Sequence, residues 1–309
     1  MKNSFDQITK QLQPLFTAHI YSDTTRMYFS HYGLNPAPDT IEHFFGSFTS
    51  QGYTLAAHVF VPQTYTATVI LLHGFLAHTG QLKEVISFLL DKRYAVAVYD
   101  MPGHGLSSGN RGEIGGFTEY TRILDDFIHL TTPHLKTPYH IIGYSTGAAT
   151  VIDYMLTTRT SLFGTVILCC PLIRSAMWYP SKWVYQVGKS FVSSIPRLPT
   201  KNSSDRKFLA FVRSNDPLQI WSVPVAWLNA LYTWNRRIQH YPASDKKIAV
   251  IQGKKDSTLA WQYNLRFLGK KFPRADICTI PSARHELFNE SPQIRTEVLS
   301  QVHTYLKRS

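Results

Sequence analysis

The sequence has few cysteines and no long apolar run. Its three cysteines, Cys169, Cys170 and Cys278, are too few for a disulfide framework and lie within or beside apolar segments, so we interpret them as buried hydrophobic residues. No apolar run approaches the roughly 20 residues that span a bilayer, and the first residues lack the apolar stretch of a secretory signal. We therefore expect a cytoplasmic protein without a transmembrane helix.

Acidic residues are also scarce, with 20 Asp plus Glu against 32 Lys plus Arg and a formal net charge of +12. Between Ile173 and His240, ten basic residues face only Asp205 and Asp216, a net charge of +8. A cationic surface is attracted to anionic lipid, so peripheral contact with the inner face of a membrane is one interpretation and ordinary solvated charge is the other. The sequence contains no recognised nucleic-acid motif, so we do not expect a nucleic-acid partner.

The most informative motif is G-x-S-x-G at Gly143–Gly147. It follows the apolar run Tyr139–Ile142, a predicted buried strand, and precedes Thr146–Leu156, a predicted helix rich in small residues. A serine on such a sharp turn needs glycine on either side, because neighbouring backbone crowds it. The context therefore predicts that Ser145 is a nucleophile at the carboxyl end of the sheet.

A serine hydroxyl needs a base within hydrogen-bond reach and a third group that orients the base. The apolar run Lys247–Gln252 leads to Asp256, and the run Ala275–Ile280 leads to His285. Each candidate thus follows a predicted strand, and the order Ser, Asp, His is that of α/β-hydrolases. The sequence predicts a triad of Ser145, Asp256 and His285.

Other carboxylates are less suitable as the group that orients the base, because of their positions in the sequence. Asp100 precedes the serine, and Asp125 and Asp126 fall within a predicted helix. Glu286 adjoins the histidine, and we expect it to point elsewhere.

Hydrolysis through a serine also requires two donors aimed at the oxyanion that forms. One is the amide of Thr146, which follows the nucleophile. The other is expected after the strand Val69–Leu72, where His73, Gly74 and Phe75 follow. We predict that the Phe75 amide is the second donor.

Predicted strands and helices alternate along most of the chain, which is typical of an α/β protein with a parallel sheet. The alternation breaks between Pro171 and Lys247, where a single crossover would need far fewer residues. We expect this segment to form a lid with two helices, one marked by Trp183 and Phe191 and one beginning at Ser222. Five of the six tryptophans lie in it. We predict that some of these aromatic and apolar residues wall an acyl-chain site above the serine, and the named candidates are Trp178, Trp183, Trp227 and Leu231.

The chain resembles the α/β-hydrolases grouped as lysophospholipases, monoacylglycerol lipases and serine aminopeptidase-type hydrolases. The resemblance rests on five motifs: His73–Phe75, Asp100–Gly109, Gly143–Gly147, Gly253–Asp256 and His285–Glu290. It implies an α/β-hydrolase fold, with a mostly parallel eight-stranded sheet flanked by helices and a helical lid inserted after strand 6. It also implies the triad and oxyanion donors given above, without a metal or an organic cofactor.

These expectations divide the chain into three parts: an N-terminal helical extension over residues 1–40, a hydrolase core over 41–171 and 246–309, and a lid over 172–245. We expect a serine ester hydrolase that cleaves the acyl ester of a lysophospholipid or monoacylglycerol. The alternatives are a small-molecule carboxylesterase, an acyl thioesterase, an aminopeptidase and a ligand-binding protein on a non-catalytic hydrolase fold.

Overall fold

The computed structural model describes residues 2–17, 20–35, 40–158, 162–188, 191–197 and 200–308. Helices and strands alternate over much of this part of the chain. The helices are α1 (Lys2–Gln11), α2 (Asp23–Tyr32), α3 (Lys83–Asp91), α4 (Phe117–Thr131), α5 (Thr146–Thr157), α6 (Trp178–Gly188), α7 (Arg206–Ser214), α8 (Val225–His240), α9 (Trp261–Lys271) and α10 (Pro292–Leu306). The strands are β1 (Ile41–Ser50), β2 (Tyr53–Pro62), β3 (Ala67–Leu72), β4 (Tyr94–Tyr99), β5 (Tyr139–Tyr144), β6 (Phe163–Cys169), β7 (Ser194–Pro196), β8 (Ser222–Pro224), β9 (Ala249–Gly253) and β10 (Asp276–Ile280).

Eight strands form one sheet in the order β1-β2-β4-β3-β5-β6-β9-β10. The pairs β1–β2 and β2–β4 are antiparallel, and all other neighbours in this sheet are parallel. This confirms the predicted α/β-hydrolase fold with a mostly parallel eight-stranded sheet. Parallel strands need crossover connections, and the helices that supply them cover the sheet.

The central strands are buried along their whole length, as the continuous apolar runs in the sequence predict. Helix α5 packs closely against this centre because Ala148 and Ala149 present little bulk, and both residues are fully buried. Since β3, β5, β6, β9 and β10 run in the same direction, the loops that follow them meet at one edge of the sheet. That edge holds every residue of the predicted triad.

The two N-terminal helices pack on the antiparallel end of the sheet. The ring of Phe5 in α1 meets the ring of Tyr28 in α2 edge to face, with centroids 5.4 Å apart. Tyr28 in turn stacks on Phe45 of β1 at 5.8 Å. The predicted boundary of this extension stays a prediction, because residues 36–39 beside it lie outside the described residues.

Between β6 and β9 the chain leaves the sheet and forms a segment that we call the insertion, residues 172–245. It contains α6, α7 and α8 together with the short strands β7 and β8, which pair with each other antiparallel. The insertion is therefore not purely helical, and α7 was not predicted. The predicted helix through Phe191 ends at Gly188, and Ser222 lies in β8 rather than at the start of α8.

Among the described helices, none is both long enough and apolar enough to cross a bilayer.

Candidate active site

Ser145 lies on the turn between β5 and α5, with φ 54° and ψ −108°. A positive φ is rare for a residue with a side chain, so the turn holds this serine in a strained conformation. Its neighbours must be glycines, because a Cβ on Gly143 would lie 2.7 Å from the Ala148 Cα and one on Gly147 would lie 2.5 Å from the Leu72 carbonyl oxygen. The backbone thus has the elbow geometry that the motif predicts.

The structure brings the three predicted triad residues into one hydrogen-bonded chain. His285 Nε2 lies 3.1 Å from Ser145 Oγ, and His285 Nδ1 lies 2.8 Å from Asp256 Oδ2. All three side chains are buried. With Nδ1–H donating to Asp256, Nε2 is the nitrogen that can accept the serine proton.

Four hydrogen bonds orient the Asp256 carboxylate. Its Oδ1 accepts from the amides of Thr258 at 2.8 Å and Leu259 at 3.1 Å, and its Oδ2 accepts from His285 and from Gln252 Nε2 at 3.2 Å. Burial alone would raise the pKa of Asp256, but His285 and the two amides outweigh it and the pKa is lowered. Asp256 therefore stays ionised at neutral pH.

The ring of His285 responds to the same pair of effects. Burial lowers its pKa, whereas the charge and hydrogen bond of Asp256 raise it, and the net pKa lies above the ordinary 6.5. A base whose pKa lies near the working pH can both accept and return a proton. The arrangement suits general acid–base chemistry on a serine hydroxyl.

The amides of Phe75 and Thr146 both border the cavity in front of Ser145. Among the described residues, neither amide has a hydrogen-bond acceptor. A Cβ on Gly74 would lie 3.0 Å from the Cβ of Ser145, which shows how closely the loop after β3 approaches the nucleophile. Two amides without an acceptor, both from residues that line the cavity at one serine, can stabilise a negatively charged oxygen.

His73 fixes the peptide that carries the Phe75 amide. Its Nδ1 lies 2.7 Å from the Gly74 carbonyl oxygen, and its Nε2 lies 2.9 Å from the Met101 amide nitrogen. The amide can only donate, so Nε2 accepts and Nδ1–H donates. Because the Gly74 carbonyl and the Phe75 N–H share one planar trans peptide, holding the carbonyl on one side aims the N–H to the other.

A cavity of about 340 Å³ lies in front of the serine. Most of its wall is apolar and comes from the insertion and from the loops after β3 and β6. These apolar residues are Phe75, Leu76, Leu172, Ala176, Met177, Val223, Trp227, Leu228 and Leu231. The polar part of the wall includes Arg197, Thr200, Asn202, Ser257, Thr258 and Glu286.

Two of the four predicted acyl-site residues, Trp227 and Leu231, line this cavity. Trp227 stacks on Phe75 with ring centroids 3.8 Å apart. Trp178 and Trp183 do not line it, so this part of the prediction is wrong. Trp178 is buried against Tyr232 within the insertion, and Trp183 projects outward from α6 with 67% of its surface exposed.

Sequence reasoning missed two polar contributors, Asn202 and Arg197. Asn202 lines the cavity and donates to Glu286 Oε1 at 3.0 Å, and its carbonyl accepts the Glu286 amide at 2.9 Å. Glu286 thus points to the insertion rather than to the triad, as expected, although it also borders the cavity. No local pattern could have revealed these contacts, because the two segments are more than 80 residues apart.

Cys170, Asp256 and His285 offer ligand atoms that all lie within 4.8 Å of one another. Burial raises the pKa of the Cys170 thiol well above its ordinary range, so the thiol stays protonated and is a poor metal ligand. Asp256 and His285 already bond to each other. These donors fit proton transfer better than metal binding.

Comparisons with known proteins place this site in context. Phospholipase YtpA from Bacillus subtilis is 27% identical over 107 residues, 35% of this chain and 41% of that protein. The rat monoglyceride lipase is 25% identical over 253 residues, 79% of this chain and 83% of that protein. An uncharacterised abhydrolase domain-containing protein of Dictyostelium discoideum is 29% identical over 130 residues, 42% of this chain. The match spans only 14% of that protein's length.

A solved structure of similar fold is a soluble variant of monoglyceride lipase from Saccharomyces cerevisiae in complex with a substrate analogue. It superposes with a TM-score of 0.73 at 18% identity, covering 85% of this chain and 94% of that one. The model of the family described as serine aminopeptidase, S33, matches residues 63–292. That match covers more than half of the chain, and the protein therefore belongs to this family of α/β-hydrolases.

Proposed function

We propose that this protein is a serine ester hydrolase that cleaves the acyl ester of a lysophospholipid or a monoacylglycerol. The observation that carries the proposal is the chain of contacts from Ser145 Oγ through His285 to Asp256, at 3.1 Å and 2.8 Å, placed beside a mostly apolar cavity. A polar reaction centre next to an apolar wall suits a substrate with one ester and one hydrocarbon chain.

The proposed cycle begins when Ser145 Oγ attacks the ester carbonyl carbon and His285 Nε2 takes the hydroxyl proton. The amides of Phe75 and Thr146 stabilise the oxyanion, and Asp256 stabilises the imidazolium. His285 then returns the proton to the alcohol oxygen as the carbon–oxygen bond breaks, which leaves an acyl-enzyme. Water that loses its proton to His285 attacks the acyl-enzyme, and the fatty acid leaves as Ser145 regains a proton.

The catalytic assignment is tested with Ser145→Ala and with a fluorophosphonate that labels activated serines. We expect the wild type to be labelled and Ser145→Ala to lose both labelling and nearly all turnover of a p-nitrophenyl ester. Ser300→Ala, an exposed serine of α10, is the matched control and should keep both. Wild-type turnover by Ser145→Ala would disprove the assignment, and a wild type that neither labels nor turns over would indicate a non-catalytic protein.

The substrate class is tested with esters of increasing acyl length. Each buried CH₂ contributes about 0.8 kcal/mol, so kcat/KM should rise with chain length until the cavity is full. A profile that falls beyond short acyl groups would indicate a small-molecule carboxylesterase. Direct comparison with acyl-CoA separates the ester hydrolase from a thioesterase, which would use the same triad.

The family description makes an aminopeptidase the second candidate. Such an activity needs a carboxylate near the serine that can bind a free amino terminus, and the insertion contains Asp205 and Asp216 near its middle. Neither lines the cavity. Asp205 caps α7 through the amides of Lys207 and Phe208, and Asp216 is buried in contacts with the core. Release of an amino-terminal residue from a peptide by the wild type, and not by Ser145→Ala, would favour this candidate.

We also propose that the insertion acts as a lid that contacts an anionic membrane surface. Apolar side chains on and beside α6 are exposed, including Trp183 at 67% and Phe191 at 85%. Met177 is exposed and also lines the cavity, so the cavity opens beside this apolar patch. Basic residues of the insertion would add attraction to anionic lipid.

Vesicle sedimentation tests this contact. We expect binding to vesicles that contain phosphatidylserine, weaker binding at high salt, and loss of binding in the double variant Trp183→Ser, Phe191→Ser. Activity on a soluble short-chain ester should stay unchanged in that variant. Equal sedimentation of variant and wild type would contradict the proposal.

A further inference from the structure

A second cavity of about 210 Å³ adjoins the catalytic cavity and shares three wall residues with it, Arg197, Thr200 and Asn202. Its remaining lining residues include Lys201 and Arg213, and none of its lining residues is acidic. Three basic residues thus line a small space next to the catalytic cavity. Such a composition indicates a site for an anion.

Within the described part of the chain, no acidic side chain pairs with these three cations. Among the described residues, no hydrogen bond or ion pair involves the side chain of Arg197, Lys201 or Arg213. A fourth cation lies beside them, since Arg284 donates to the Lys201 carbonyl at 3.3 Å. The other wall residues include Leu209, Val212 and Trp221. Lys201 and Arg213 are exposed, so an anion can reach them from solvent.

This basic cavity lies on the histidine side of the reaction centre. The stretch from Arg197 to Asn202 contacts the His285 loop through both hydrogen bonds between Asn202 and Glu286. The positive charge of Arg197 is close enough to act against protonation of His285, although Asp256 outweighs it. Arg197 is therefore near the imidazole as well as in the wall of both cavities.

The chemistry decides which half of the substrate reaches this side. His285 Nε2 must give its proton to the leaving alcohol, so the alcohol half of the ester lies beside His285. The acyl half then extends along the apolar wall formed by residues such as Trp227 and Leu231. In a lysophospholipid the leaving alcohol carries a phosphate, and in a monoacylglycerol it carries no charge.

We propose that Arg197, Lys201 and Arg213 form a subsite for the phosphate of the leaving glycerophospho-alcohol, which makes lysophospholipids the preferred substrates. This inference rests on the proposed ester hydrolase function and deepens it. Glu286, the carboxylate that borders the catalytic cavity, has Oε1 engaged by Asn202 and is absent from the lining of the basic cavity. The phosphate would therefore lie beyond Glu286, among the cations.

The test compares 1-octanoyl lysophosphatidylcholine with 1-octanoylglycerol, both as dissolved monomers. The variants are Lys201→Gln and Arg213→Gln, because these two cations line the basic cavity and not the catalytic cavity. Hydrogen bonds to charged groups predict that each variant loses about tenfold to a hundredfold in kcat/KM on the lysophospholipid, mainly through KM, and less than about twofold on the glycerol ester. Arg236→Gln is the matched control, because it removes one exposed charge from the insertion away from both cavities, and it should change neither value.

Inhibition supplies a second readout. Glycerophosphocholine should inhibit hydrolysis of octanoylglycerol competitively in the wild type and at least about tenfold more weakly in Arg213→Gln. Equal losses on both substrates in the variants would overturn the subsite, and so would equal inhibition of the wild type and Arg213→Gln by glycerophosphocholine. A wild type that cleaves octanoylglycerol and not the lysophospholipid would refute the subsite and leave the ester hydrolase intact. A wild type that cleaves neither would refute the proposed function itself.

Discussion

Asp216 of the insertion and His78 of the core form a buried ion pair, with His78 Nε2 3.0 Å from Asp216 Oδ2 and side chains 0% and 1% exposed, respectively. Asp216 also accepts hydrogen bonds from the Tyr32 hydroxyl at 2.8 Å and from Gln81 at 2.7 Å. Because Tyr32 belongs to α2, and His78 and Gln81 follow β3, one carboxylate joins an N-terminal helix, the segment after β3 and the insertion. Gln219 extends the network by donating to the Leu76 carbonyl, next to the predicted oxyanion donor Phe75.

The first prediction concerns stability and pH. Burial disfavours both charges of the pair, yet pairing raises the pKa of His78 and lowers that of Asp216. The stability that His78 gains from pairing is fully present below its ordinary pKa of 6.5 and is lost as pH rises through its raised pKa. The stability that Asp216 gains is fully present above its ordinary pKa of 3.8 and is lost as pH falls through its lowered pKa. Asp216→Asn should therefore lower the free energy of unfolding most between these two values, by about 3–5 kcal/mol.

Urea denaturation at several pH values measures this difference. Asp276→Asn is the control, because Asp276 pairs with Arg308 where both side chains are more than half exposed. Removing such a surface pair costs about 0–1 kcal/mol. A loss in Asp216→Asn that does not change from acidic to alkaline pH would contradict the assigned charge states.

The second prediction concerns the oxyanion loop. The Gly74 carbonyl accepts hydrogen bonds from His73 Nδ1 at 2.7 Å and from the Ala77 amide at 3.2 Å. Replacing His73 by Gln removes the shorter of the two and should loosen the aim of the Phe75 amide. Loss of one oxyanion donor costs about 2.7–4 kcal/mol, so we expect kcat to fall by about a hundredfold with little change in KM. Steady-state kinetics on a soluble ester measures both values.

The pH dependence separates positioning from proton transfer. Burial lowers the pKa of His73 to about 4, so His73 is neutral throughout the range in which the enzyme would be assayed. The His73→Gln variant should therefore keep the wild-type shape of the kcat/KM profile against pH. A shifted profile would mean that His73 takes part in proton transfer.

The third prediction concerns the glycines of the elbow. A Cβ at Gly147 would lie 2.5 Å from a backbone oxygen, whereas a Cβ at Gly269 in α9 would meet no atom within 4 Å. Gly147→Ala should lower the melting temperature and abolish activity. Gly269→Ala should stabilise the protein by up to about 1 kcal/mol, because alanine favours a helix interior. Comparable thermal stability of both variants would show that the elbow is not crowded.

The sequence was sufficient to predict the central strands and the triad residues, because both depend on short local patterns of apolar and polar residues. The predicted strands Val69–Leu72 and Tyr139–Ile142 lie within β3 and β5, because buried parallel strands must be continuously apolar. Asp256 follows the buried strand β9 and His285 follows the edge strand β10, and parallel strands bring such loops to one edge. Their meeting with Ser145 could therefore be predicted without knowing any contact.

The insertion could not be predicted in the same way. Its tryptophans are identical side chains within one segment, yet Trp227 lines the cavity and Trp183 faces outward. The difference arises because the orientation of a side chain depends on how the helices and strands pack against each other. The His78–Asp216 pair joins residues 138 positions apart, and nothing in the local sequence around either residue indicates it. Periodicity shows which helix face is apolar and not which surface covers it.

The fourth prediction concerns the base. Asp256 raises the pKa of His285 above 6.5 against the effect of burial. The imidazole must be neutral to accept a proton, so kcat/KM should rise with pH through an apparent pKa above 6.5. Asp256→Asn should lower that apparent pKa and reduce kcat by about 10⁴-fold. An unchanged midpoint in Asp256→Asn would show that another group controls the profile.

The fifth prediction concerns the apolar wall. Trp227 stacks on Phe75 and lines the cavity, so Trp227→Ala should remove contacts with a long acyl chain and loosen the Phe75 loop. We expect kcat/KM for a decanoyl ester to fall at least about tenfold more than that for an acetyl ester, because each CH₂ that loses its apolar contact weakens binding by up to about 0.8 kcal/mol. Trp183→Ala makes the same change at an outward-facing position of the insertion and should leave kcat/KM for both esters unchanged. If Trp227→Ala lowers kcat/KM for the two esters by the same factor, Trp227 only supports the loop, and the acyl chain lies elsewhere.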